Sequence, residues 1–115
     1  MNGVLTGSMS NTLAEVQRLV LAGEVLVSAH ADVELAKDQI SLREVLDGVQ
    51  SATVVEEYPT YAKGPCVLVL QHDAQSAAIH VLWGLRTATT RPAVLITAYR
   101  PDPARWSADF MTRRR

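Results

Sequence analysis

The chain has 115 residues, 48% of them apolar and 20% charged, with a net charge of −1. This is globular composition rather than disorder and fits a single domain that buries a modest core. Cys66 is the sole cysteine, so no internal disulfide can form, and no apolar run approaches the length of a membrane span.

The charge is unevenly spread. Before Arg86 there are 4 Lys/Arg against 10 Asp/Glu, and from Arg86 onward 7 Arg against 2 Asp. An arginine-rich half suits an anionic partner such as RNA, because guanidinium groups fit phosphate well. Equally, the basic half can pair with the acidic one, or the Arg113-Arg114-Arg115 tail can serve only for solubility. The first residues lack the basic start and apolar run of a signal peptide. The expectation is a cytoplasmic protein with a flexible leader over residues 1–10 and one domain over residues 11–115.

Thr12-Leu-Ala-Glu15 reads as a capping box that opens a helix running to about Ala22, with Leu13, Val16, Leu19 and Val20 as its inner stripe. Gly23 supplies the left-handed stop. The short apolar stretch Glu24-Val-Leu-Val-Ser28 fits either a strand or an extended linker. Ser28 caps a second helix over about Ala29 to Asp38, and Ser41-Leu-Arg-Glu44 caps a third, with Leu42, Val45, Leu46 and Val49 inward. The period then changes to that of strands: Ala52–Tyr58, Cys66–Gln71, Ala78–Trp83 and Val94–Tyr99, joined by short turns and a polar loop from Arg86 to Pro92. Helices first and strands after, with short connections, predict an α+β fold. In it, N-terminal helices pack on a four-stranded antiparallel sheet. Leu46 and Ile96, each central in its apolar run, are expected to be buried, and Ser107–Arg115 to form a last helical turn.

The chemistry-bearing residues cluster late in the chain. The last strand ends Tyr99-Arg100-Pro101-Asp102-Pro103, and Trp106 follows. The prolines end the strand and fix its exit, which gathers Tyr99, Arg100 and Trp106 at one end of the sheet. Such a group can grip a phosphate and stack on a base, or it can be an ordinary sheet corner. Cys66, His72, Asp73 and His80 fall on neighbouring strands, but no CxxC or HxxxH spacing marks a metal site, and neither metal nor cofactor is expected.

Several short pieces recur together in one order: Ser28-Ala-His30-Ala, Ile40-Ser41, Val55-Glu-Glu-Tyr-Pro59, Ile79-His80-Val81, Thr97-Ala-Tyr99-Arg-Pro101-Asp-Pro, then Trp106. With them the chain resembles the small bacterial domain-of-unknown-function family numbered 4258, which in turn looks like the RelE, ParE and MqsR group of toxin–antitoxin toxins. The resemblance implies a toxin-like fold, metal-independent cleavage of messenger RNA and an antitoxin protein as partner. Carried onto this chain, it implies His30, His80 and Tyr99 as the acid–base set, with Arg100, Trp106, Lys63 and Arg113 on the substrate. Such chemistry needs a group to take the 2′ proton, a donor for the phosphate and an acid for the leaving oxygen. Histidine titrates near neutrality and suits the first and last of these roles. Two positions depart from the pattern, because Glu34 and Asp38 stand where the family carries arginines. They imply weak or absent cleavage, and they motivate a rival reading, a non-catalytic protein-interaction module of the same fold.

Overall fold

The computed structural model describes residues 10–115. The leader expected over residues 1–10 lies outside the described residues except for Ser10. That residue is buried and caps the first helix, its hydroxyl accepting from the Leu13 amide at 3.0 Å. Helix α1 therefore spans Asn11–Leu21, starting ahead of the expected Thr12 capping box. Strand β1 (Val25–Val27), helix α2 (Ala29–Lys37) and helix α3 (Leu42–Gly48) follow. Ser28 and Ser41 cap α2 and α3 through their hydroxyls, satisfying amides that the first helical turn leaves free. A 3₁₀ turn over Val49–Ser51 leads into strands β2 (Thr53–Tyr58), β3 (Cys66–His72), β4 (Ala78–Gly84) and β5 (Ala93–Tyr99).

The fold is α+β, with three helices and a five-stranded mixed sheet of order β1-β5-β4-β3-β2. The four expected strands pair as an antiparallel meander. The expected sheet, four-stranded and wholly antiparallel after the toxin pattern, is corrected by β1, which joins the edge parallel to β5. The cause is long range. Gly23, at φ +76°, turns the chain out of α1, and the Ala93 amide donates to the Glu24 carbonyl while the Ser28 amide donates to that of Leu95. Nothing local in Val25-Leu-Val signals a partner almost seventy residues ahead.

One face of the sheet carries Val67, Val69, Ile79, Val81, Trp83, Leu95 and Ala98, all packed under Leu13, Val16 and Leu19 of α1, Ala31 and Leu35 of α2, and Val45 of α3. The inner stripe of α1 is as expected. In α3 the expected inward set is corrected: Leu42 is 38% exposed and Leu46 only half-buried, because Val45 and Val49 point into the core. On this face Gln71 is the buried polar residue. Its amide nitrogen donates to the Val45 carbonyl at 2.9 Å and its oxygen accepts from Trp83 Nε1 at 3.0 Å, so both buried ends are satisfied.

The second face carries Cys66, Leu68, Leu70, His80, Leu82 and Gly84, as the β3–β4 register requires. A bulge between Leu82 and Trp83 in the β4–β5 ladder displaces the alternation in β5. Ile96, expected in the core, instead lies half-buried on this second face, and Leu95 takes the core position. The C-terminal segment folds across one end of the face. Its expected helical turn is replaced by a hairpin-like return, with a bridge between Trp106 and Arg113, the Ser107 amide donating to the Thr112 carbonyl and the Arg114 amide to that of Arg105.

Candidate functional site

His80 lies on the second face beside the end of β5 and is fully buried. The rings of Tyr99, Trp106 and Phe110 meet it edge-on at centroid distances of 5.4, 4.4 and 6.5 Å. Its Nε2 lies 2.8 Å from the Phe110 carbonyl and its Nδ1 lies 3.2 Å from the Tyr99 hydroxyl. A carbonyl only accepts, so Nε2 carries the proton, and in the neutral ring Nδ1 accepts from Tyr99. Burial pushes the imidazole pKa down, against an opposing pull from the Phe110 carbonyl, which keeps the ring neutral. Burial likewise raises the Tyr99 phenol, so it remains protonated.

Beside this pair, Arg113 grips Glu56 through two bonds, Nε to Oε2 at 2.8 Å and a terminal nitrogen to Oε1 at 3.1 Å. Tyr58 donates its hydroxyl to the same carboxylate. Glu56 and Tyr58 are two residues apart on β2 and so share a face. The guanidinium bond to Arg113 holds the Glu56 carboxyl below its usual range. The same guanidinium lies 4.7 Å from the centroid of the Trp106 ring. With a side chain 59% exposed, Arg113 holds this position from the rim.

A cavity of about 300 Å³ opens on this group, floored by Leu68, Leu82, Ile96 and Cys66 and walled by Tyr58, Tyr61, Thr97, Tyr99 and Arg113. Burial pushes the Cys66 thiol up, so it is an inert part of the floor. Chemically the cavity offers a phenol backed by a neutral imidazole, a guanidinium and an adjacent carboxylate above an apolar floor.

Of the residues expected in a site, His80, Tyr99, Trp106 and Arg113 come together here. His30 is exposed on α2, which packs on the other face of the sheet. Arg100 turns away to the β3–β4 connection, where it pairs with Asp73 at 2.9 Å and donates to the Ala78 carbonyl at 3.4 Å. Lys63 lies in the β2–β3 turn and lines an adjoining cavity. Asp38 accepts from the Arg100 amide at 2.9 Å, which gives this acid a structural task at the end of β5, and neither it nor Glu34 lines the cavity. Glu56, Tyr58 and Tyr61 were not among the expected site residues. Strand alternation, which pairs Glu56 with Tyr58 on one face, was the available signal for two of them.

Among the described residues no group of three His, Cys, Asp or Glu side chains is placed to hold a metal ion, and no helix is long and apolar enough to cross a membrane.

These features define an α+β protein whose sheet is roofed by helices on one face and bears a tyrosine- and arginine-walled cleft on the other. The chain belongs to the family described as Domain of unknown function (DUF4258), whose family model matches residues 27–100. That stretch includes His80 and Tyr99, while Trp106, Phe110 and Arg113 lie beyond it. No curated protein and no solved structure matches the chain.

Proposed function

We propose that the domain is a slow, metal-independent endoribonuclease of the kind represented by the RelE, ParE and MqsR toxins, acting beside an antitoxin protein. The observation that carries this reading is Tyr99, which lines the cleft together with Arg113 and whose hydroxyl lies 3.2 Å from His80 Nδ1. The ribose 2′-hydroxyl gives its proton to Tyr99 Oη as that hydroxyl passes its own proton to Nδ1. The 2′-oxygen then bonds to phosphorus, the bond to the 5′-oxygen breaks and the leaving oxygen takes a proton from solvent, to which the imidazolium later returns one. Arg113 exchanges its Glu56 partner for a phosphate oxygen and stabilises the charge that develops there. Burial disfavours the transient imidazolium, and Arg113 must leave a bidentate partner. Both make the step slow.

The test is incubation of a labelled RNA oligonucleotide with the protein in EDTA, followed by analysis of the product ends. Cleavage leaving 2′,3′-cyclic phosphate is expected from the wild type and at least tenfold less from Tyr99→Phe, which retains the ring and loses the relay. No wild-type cleavage refutes the enzyme reading. The rival, a non-catalytic protein-interaction module, draws on the apolar floor of the cleft and on an Arg113 already paired with Glu56.

A further inference from the structure

A second cavity, of about 360 Å³, adjoins the first and shares Tyr61, Cys66 and Ile96 with it. Lys63 and Arg86 are among its lining residues. The two cavities together are lined by three cations and no acid, in a chain whose acidic residues outnumber its basic ones. Neither Lys63 nor Arg86 is held in an ion pair among the described residues, in contrast to Arg113.

The loops that carry these cations are locked together. The Gly64 amide donates to the Tyr61 carbonyl at 2.9 Å and closes a turn that holds Tyr61 and Lys63. Gly64 has φ +129°, and a Cβ there would lie 1.8 Å from the Leu85 carbonyl oxygen, so the turn lies directly on the residue before Arg86. The Leu85 amide donates to the Pro65 carbonyl at 3.0 Å, and the Thr87 hydroxyl to that of Ala62 at 3.5 Å. Backbone contacts thus bring Lys63 and Arg86 to one cavity, and among the described residues neither is held in an ion pair.

We propose that the two cavities form one trough for a single strand of RNA, in which Lys63 and Arg86 hold a phosphate and Tyr61 a base of the nucleotide next to the one at Tyr99 and Arg113. This rests on the ribonuclease reading above and extends it to the substrate: an unpaired strand of at least two nucleotides. Three features favour a nucleic acid over an acidic peptide. Each cavity is lined by at least one cation, the two carry three tyrosines between them, and most of the other lining residues are apolar. Bases stack on tyrosine faces regardless of their identity, whereas carboxylates do not.

The test uses a fluorescein-labelled thymidine deoxyhexanucleotide, which lacks the 2′-hydroxyl and cannot be cleaved. Its affinity is titrated by anisotropy at several salt concentrations. Lys63→Gln/Arg86→Gln is expected to lower the slope of log K against log salt by about 0.7, the share of one phosphate contact on a single strand. Tyr61→Ala is expected to weaken binding about tenfold at constant slope. All three side chains are exposed, and an unchanged melting temperature confirms that the variants fold. Unchanged slope and affinity in the double variant overturn the trough even if Tyr99→Phe abolishes RNA cleavage. Binding with the expected slope change but no cleavage by the wild type keeps the trough and refutes the nuclease. Displacement of the hexanucleotide by polyglutamate at equal charge concentration overturns the assignment in favour of an acidic protein partner.

Discussion

Replacing His80 with glutamine separates the two things the ring does. Glutamine reaches as far as Nε2 and donates to the Phe110 carbonyl, so the bond that anchors the C-terminal segment is kept. The Tyr99 hydroxyl loses its acceptor, but Tyr99 is only half-buried and turns to water, so the cost at pH 7.5 is about 1 kcal/mol. The titration is removed outright. Burial lowers the folded-state pKa of His80, so below the ordinary histidine range the unfolded chain binds a proton that the folded one refuses. Wild-type stability therefore falls as the pH drops through about 6.5, by up to about 1.4 kcal/mol per pH unit while the folded ring stays neutral. The variant does not share this loss. His30 and His72 remain in both proteins and cancel in the difference, and Glu56, held below the usual carboxylate range, stays ionised throughout. Urea titrations at pH 7.5, 6.5 and 5.5 should show the variant less stable at the top of this range and equal or more stable at the bottom. A constant difference across the three values would mean that His80 is not held neutral, and the tautomer derived above would fall with it.

Other positions test the packing. Leu95→Ala should cost about 2–5 kcal/mol in a denaturant titration, and Ile96→Ala clearly less, because the bulge puts Leu95 in the core and Ile96 on the cleft floor. The reverse order would place the bulge wrongly. Gln71→Leu strands the Val45 carbonyl and the Trp83 indole N–H in a dry core, at about 1–3 kcal/mol each, and should lower the melting temperature although the substitution is more apolar.

The sequence by itself determined what short-range physics controls. Capping hydroxyls at Ser28 and Ser41 set the starts of two helices, because a side-chain oxygen and a free amide three residues on meet whatever the rest of the chain does. The apolar runs and turn residues between Thr53 and Tyr99 located four strands and their antiparallel order, because short connections leave neighbouring strands little choice.

The tertiary structure decided everything that depends on distant segments. Val25–Val27 became a strand only because β5 was there to pair with it. The burial of Leu95 and the half-buried place of Ile96 on the other face follow from a single bulge, which displaces side chains by one position and leaves little trace in an apolar run. His80 was separated from His30 by the sheet itself and joined to Trp106 and Phe110 by a C-terminal segment that returns across its face. Arg113 found Glu56 across 57 positions of sequence, and Arg100 found Asp73 rather than the cleft. Such pairings depend on which side chains the fold brings within a few ångströms, and a local pattern of residues carries no measure of that distance.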